Sequence, residues 1–211
     1  LHYIASKKQN ALFKTILDKT ENANLINNED KSPLNYAVEN GIYSNVIKLL
    51  AKSKDINSIH NRFLIKNLAS NVYNKYPNRK WTEDDIKIIQ VLKNSNFQIN
   101  ERQSTYGHTS LEMLSSKSLV DNYEKRILGE LLKFNWDSLS LSNAFSQAYK
   151  KVDLDFSKAF FYSGLSYGSS ILILSQQNAS DNYDLYNSLV DYIFSNDINV
   201  NIQDERRNTA L

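Results

Sequence analysis

The search for chemistry in this chain starts with its three histidines, His2, His60 and His108. Imidazole titrates near neutral pH and is the commonest metal ligand. The three stand isolated in the sequence, and no pair has ligand spacing. The chain has no cysteine, so thiolate nucleophiles, disulfides and Cys-based zinc sites are excluded. The stretch Ser163-Gly164-Leu165-Ser166-Tyr167-Gly168-Ser169-Ser170 is rich in Ser and Gly. It lacks the strand–turn–helix setting that a nucleophilic serine elbow requires, and it reads as a hairpin entering a helix at Ser170. No Gly-rich phosphate loop with a trailing Lys occurs. Carboxylates cluster at Glu83/Asp84/Asp85 and at Asp153/Asp155. An acid–base pair needs a cleft and a perturbed pKa, whereas three acids in a row suit the first turn of a helix, where they complement its dipole. The basic pairs Arg206-Arg207 and Lys52/Lys54 read as solvated loops. Nucleic-acid affinity grows with the number of phosphates neutralised, and one pair is too few. Catalysis, metals and cofactors are therefore not expected.

These residues sit in 211 positions with a formal net charge of +2. That length holds one compact domain or a row of five to seven short repeats. No apolar run approaches the roughly 18 residues that span a bilayer, and no secretory signal opens the sequence. The expectation is an intracellular, cytoplasmic and monomeric chain with no membrane insertion and no nucleic-acid partner. Only two Pro and five Gly punctuate it, against heavy use of Asn, Lys, Ile, Ser and Tyr.

Residues 32–57 carry the clearest organisation. They read Ser-Pro-Leu-Asn-Tyr-Ala-Val-Glu-Asn-Gly, then Val-Ile-Lys-Leu-Leu-Ala, then Asp-Ile-Asn. This resembles one ankyrin repeat: an inner helix opened by Thr-Pro-Leu-His-x-Ala, a Gly turn, an outer helix with Val-x-x-Leu-Leu, and a hairpin loop introduced by Asp-Val-Asn. The inner-helix Leu recurs at Leu1, Leu34, Leu64, Leu111, Leu172 and Leu211. The first interval is the 33-residue period of that family. The long gap between Leu111 and Leu172 has room for one further, poorly matched repeat. Outer helices are predicted at Phe13/Ile16/Leu17, Val46/Leu49/Leu50, Ile88/Val91/Leu92, Leu128/Leu131/Leu132 and Leu189/Tyr192/Ile193, each an apolar stripe at helical spacing. Leu34, Ala37, Val46, Leu49 and Leu50 are the expected core. The Asp-Val-Asn slot is filled by Asn22-Ala23-Asn24, Asp55-Ile56-Asn57, Phe97-Gln98-Ile99-Asn100 and Asn199-Val200-Asn201.

Insertions are expected between inner and outer helices. The largest spans Asn71 to Trp81, and a capping-box signal at Thr82-Glu83-Asp84-Asp85 restarts the helix. Asp121 with Glu124 reads similarly. The aromatic insertion around Tyr73, Tyr76, Pro77 and Trp81 either folds back or reaches a partner, and folding back is preferred. Trp136 is expected to fill the core beside the weakest repeat. Both termini fall inside the motif, at Leu1-His2-Tyr3-Ile4-Ala5 and Asn208-Thr209-Ala210-Leu211, without polar caps. This leads to the expectation of a segment of a longer array.

The reading is an all-α ankyrin solenoid of helix–turn–helix units with short β-hairpin loops. It forms a single domain over 1–211, with about six repeats and irregular ones at 58–100 and 138–166. The resemblance implies a protein-binding module whose concave surface is built from hairpin tips and exposed inner-helix positions. His2 fills the motif's His slot, which implies hydrogen bonds to the hairpins. The implied contacts are Asn28, Glu29 and Lys31 with Glu39 and Asn40, then Ser6 and Lys7, then Thr105, Tyr106, His108 and Lys117, then Glu205, Arg206 and Asn208. Tyr106 and Arg206 rank first, because Tyr and Arg dominate interface hot spots. Composition and irregular repeats resemble the ankyrin proteins that intracellular bacteria deliver into host cells, which would make the partner a host protein. Two readings stay open beside this one: the regulatory or targeting domain of a larger enzyme, and an intramolecular scaffold without an external ligand.

Overall fold

The computed structural model describes residues 1–8, 10–53, 55–75, 79–99, 108–117, 122–176, 182–196 and 203. Among these there is helix and turn but no strand. The chain divides into two compact units, Leu1–Ser110 and Leu111–Leu211.

In the first unit, α1 (His2–Ala5), α3 (Pro33–Glu39) and α5 (Leu64–Ser70) pack side by side as an inner row. The longer helices α2 (Asn10–Lys19), α4 (Tyr43–Lys52) and α6 (Glu83–Asn94) pack side by side as an outer row. The Leu ruler therefore marks inner helices, and the second apolar set marks outer ones. Helix α3 starts as its sequence dictates. Ser32 caps it, Pro33 occupies the first turn where a missing N–H costs nothing, and the Asn35 side chain accepts from the Ser32 N–H at 2.8 Å. Gly41 ends it with φ +65°, a conformation that side chains resist. Val38 and Ala37 carbonyls then accept from the Gly41 and Ile42 N–H groups at 2.9 Å, which closes the turn into α4.

Leu34, Ala37, Val46 and Leu49 are buried as expected, and Phe13 and Leu17 occupy the matching place one repeat earlier. Leu50 is only half-buried, a correction to the expected core. The buried stripe of α4 is rotated to take in Asn45 instead. Its Nδ2 donates to the Ala5 carbonyl at 3.0 Å and to the Lys7 carbonyl at 2.9 Å. Those carbonyls lie at the C-terminal end of α1 and need donors, so a buried amide serves there better than a leucine. Lys52 works similarly, donating its ammonium to the Leu17 and Asp18 carbonyls at the end of α2.

Two of the four expected hairpin slots are side-chain-closed turns, while Asn100 and Asn199-Val200-Asn201 lie outside the described residues. The Asn24 N–H donates to Asn22 Oδ1 at 2.9 Å, and 33 residues later the Asn57 N–H donates to Asp55 Oδ1 at 2.9 Å. Each slot then reaches the next loop. Ser53 Oγ donates to Asn24 Oδ1 at 2.8 Å, and Asn57 Oδ1 accepts from the Gln98 N–H at 2.7 Å. The insertion folds back. A π-helical turn, Asn71–Lys75, extends α5, and Trp81 returns buried, its indole N–H donating to the Tyr73 hydroxyl at 2.9 Å. Thr82 and Asp85 form the expected capping box. Tyr76, Pro77 and Asp121 lie outside the described residues.

The second unit contains most of α7 (Ser110–Ser115), with α8 (Asn122–Leu131), α9 (Ser138–Ala148), α10 (Leu154–Tyr162), α11 (Tyr167–Ser175) and α12 (Tyr183–Phe194). Helix α9 packs on α11 and α10 on α12, again in inner and outer rows. The gap between Leu111 and Leu172 thus holds a full pair, α9 and α10. Phe145 anchors it, with its ring edge-on to Phe160 at 5.5 Å and Phe161 at 5.8 Å, and stacked on Tyr149 at 5.6 Å. Two corrections apply here. Helix α11 begins at Tyr167, not Ser170, because Ser166 accepts from the Ser169 N–H at 3.0 Å and caps it. Trp136 is half-buried and caps α8, donating to the Leu131 carbonyl at 2.7 Å, while Phe134 fills the core.

Candidate functional site

In the first unit a groove of about 350 Å³ opens between the tips of two successive loops. One wall is the loop that precedes α3, with Glu29, Asp30 and Lys31. The other is the loop that precedes α5, with Ile59, His60, Arg62 and Phe63, and Asn67 of α5 continues that wall. Asn35 forms part of the lining beside α3.

The first wall is shaped by one asparagine. Asn27 Oδ1 accepts from the Glu29 N–H at 3.0 Å and the Lys31 N–H at 3.1 Å, and Asp30 turns the chain with φ +56°. Asp and Asn are the residues that tolerate this left-handed conformation. Tyr36, on α3, supports the tip from below. Its hydroxyl donates to Glu29 Oε2 at 2.9 Å and accepts from Asn27 Nδ2 at 2.9 Å. Burial first, and then the Glu29 hydrogen bond, hold the Tyr36 phenol above its ordinary pKa. The second wall is tied to the first through the Asn35 amide, which donates to the His60 carbonyl at 3.1 Å, and through Ser32 Oγ, which donates to Asn61 Oδ1 at 2.9 Å.

The groove side carries aromatic rings at successive repeats, each with a cation over its face. Lys7 lies 5.0 Å from the Tyr3 ring, Lys31 lies 5.7 Å from Tyr36, and Arg62 lies 4.5 Å from Phe63 with Lys66 at 5.8 Å. Ile59 is 65% exposed beside them. His2 performs its implied role, its Nε2 donating to the Leu25 carbonyl at 2.8 Å and its ring edge-on to Tyr36 at 5.9 Å.

Of the residues named from sequence, Glu29 and Lys31 line the groove, and Asn28 is exposed at the same tip. Glu39 is a correction. It was expected as an exposed contact but is 7% exposed, held by Lys31 at 2.7 Å. Asn40 is half-buried at the end of α3, donating to the Tyr36 carbonyl at 2.8 Å. Ser6 donates its hydroxyl to the Tyr3 carbonyl at 2.7 Å. His108 is exposed and Lys117 half-buried, in the first and second units respectively. Thr105, Tyr106, Glu205, Arg206 and Asn208 lie outside the described residues.

Asp30, Ile59, Arg62, Phe63 and Asn67 escaped the sequence reading. The repeat opened by Leu64 matches the motif of residues 32–57 poorly, so its exposed positions had no template. The 30-residue step from Leu34 to Leu64, applied to the tip at 28–31, would have pointed to Ile59 and His60.

In each carboxylate cluster one aspartate caps a helix. Asp85 is fully buried, accepts from the Thr82 N–H at 2.9 Å and pairs with Arg79 at 2.5 Å. Asp153 caps α10, accepting from the Phe156 N–H at 2.8 Å, and Asp155 faces Lys158 at 3.3 Å. Among the described residues no group of three or more His, Asp or Glu side chains is placed to hold a metal ion. No helix among them is long and apolar enough to cross a membrane.

No protein-family model matches this chain, and no curated protein does. Among solved structures it is similar to the ankyrin repeat domain of human ASB11, at 15% identity and a TM-score of 0.57. The match covers 99% of this chain and 88% of that one. The chain has the ankyrin repeat fold, all-α, built of stacked inner and outer helices.

Proposed function

We propose that the chain is a protein-interaction module that holds its partner across the loop tips and inner helices. The observation that carries this is the open groove between the tips at 29–31 and 59–63, with exposed Ile59 and half-buried Phe63 at its side. Contiguous apolar surface framed by polar residues marks interaction sites, and repeat stacking offers such surfaces as a consequence of its geometry. Asn28, Glu29, Lys31 and Lys7 belong to this surface. Thr105, Tyr106, His108 and Lys117, with Glu205, Arg206 and Asn208, are further contacts in the same reading. One repeat domain over 1–211, acting as a monomer on a host-cell protein in the cytoplasm and doing no chemistry of its own, completes the proposal. Continuation of the Leu ruler to Leu111 and Leu172 supports the single domain.

The test is affinity capture from eukaryotic cytosolic lysate by the full chain and by an Ile59→Ala/Phe63→Ala double variant with unchanged circular dichroism. Captured proteins are identified and each is then titrated as a purified pair. The expected result is a protein that binds the unaltered chain directly and binds the variant at least about tenfold more weakly. Equal binding by both would remove the groove from the account.

A further inference from the structure

We infer that the groove selects an extended peptide carrying a carboxylate for Arg62 and, across the groove, a cation for the Glu29/Asp30 wall. This deepens the reading above and rests on it.

The charges at the groove are unevenly matched. Lys31 is neutralised by Glu39 at 2.7 Å, and Glu29 receives the Tyr36 hydroxyl at 2.9 Å. Arg62 has no carboxylate within ion-pair distance among the described residues. It instead lies 4.5 Å from the Phe63 ring centroid, with the Lys66 ammonium 5.8 Å from the same ring. An arginine stacked in this way keeps its planar fork of donors ordered and available, and that fork matches a carboxylate with two parallel hydrogen bonds. Two cations around one ring, with no carboxylate paired to either among the described residues, make a place that an anion would stabilise. The opposite wall has the other sign. Asp30 is exposed at the tip with no cation within ion-pair distance among the described residues, beside exposed Glu29.

This pairing of walls favours a peptide over a polyphosphate. A nucleic-acid backbone brings one negative charge at every step, so it would meet Glu29 and Asp30 as well as Arg62. A peptide can alternate its signs, and its apolar side chains would cover Ile59 and Phe63. The Asn67 amide, on the α5 side of the groove, offers both a donor and an acceptor to a peptide backbone.

The experiment pans a random-sequence peptide display library on the full chain and measures the enriched peptides by fluorescence anisotropy. Probes are the unaltered chain, Arg62→Gln, Arg62→Glu, and Asp30→Asn. The expected peptides hold Asp or Glu next to an apolar residue, with Lys or Arg nearby. They should lose at least about tenfold in affinity on Arg62→Gln and a few-fold on Asp30→Asn. Replacing the peptide's acid by Lys should restore binding to Arg62→Glu while abolishing it for the unaltered chain. Enriched peptides without an acid, unchanged affinity for Arg62→Gln in a variant with an unchanged melting curve, or no enrichment at all would each overturn the inference. Displacement of the peptides by a single-stranded oligonucleotide at comparable concentration would overturn it too. Peptides that ignore Arg62 yet are lost with Ile59→Ala/Phe63→Ala would leave the interaction reading standing. Peptides indifferent to all of these changes would sink both.

Discussion

Asn45 illustrates how single residues hold this fold together. It is fully buried, and its value lies in satisfying two carbonyls of the preceding repeat. Leu49, one turn further along α4, is 1% exposed and acts through packing alone. Leu49→Ala should cost about 2–5 kcal/mol through lost transfer energy and the cavity left behind. Chemical denaturation followed by circular dichroism would measure it. Apolar positions such as Leu49 were legible in the sequence because repetition marks them. Asn45 was not, because a polar residue looks like surface until its partners are known. Tyr192 makes a prediction about pH. Interaction with the neighbouring Tyr167 first, then burial and Tyr162, raise its pKa well above the ordinary phenol value of 10.0. A pKa raised on folding means that the folded state keeps a proton that the unfolded state has lost. The resulting stability is fully present below pH 10 and is lost as pH rises beyond it. The denaturation midpoint should therefore fall between pH 9 and about 11.5, and fall less in Tyr192→Phe. An equal fall in both proteins would contradict the role given to this hydroxyl.

At the scale of elements, the loops and the insertion carry the individuality of the chain. The Asn24 and Asn57 turns were readable because the same side-chain-to-backbone closure recurs 33 residues on. The groove wall at 59–63 was not readable, since the repeat that it opens departs from the motif of residues 32–57 and shares only its helical geometry. The insertion before α6 is fixed by a charge pair that spacing does not reveal. Arg79 reaches Asp85 in the α6 capping box and lies where a Cβ on Gly41 would have to go. The bend of the insertion, the start of α6 and the α3–α4 turn thus meet at one ion pair. Arg79→Ala would leave the Asp85 carboxylate, 0% exposed, without its cation. The expected cost is about 3–5 kcal/mol, the typical penalty for removing one partner of a buried pair. A thermal melt would read it, and a change of under about 0.5 kcal/mol would place Arg79 among ordinary surface residues.

At the scale of the molecule, an array whose repeats contact only their neighbours gains stability repeat by repeat. Such an array builds its surface from many copies of one position. That recurrence is why the fold could be approached from sequence while the groove residues could not. Core positions repeat because every interface between neighbours is alike, whereas surface positions face solvent and are not held by packing. Hydrogen–deuterium exchange of the full chain, alone and saturated with its captured partner, tests the central claim most directly. The account predicts slowed exchange at 27–31 and 59–67, the two walls of the groove, with little change in α2 and α4. Protection confined to the outer helices, with both walls exchanging as in the free chain, would contradict it.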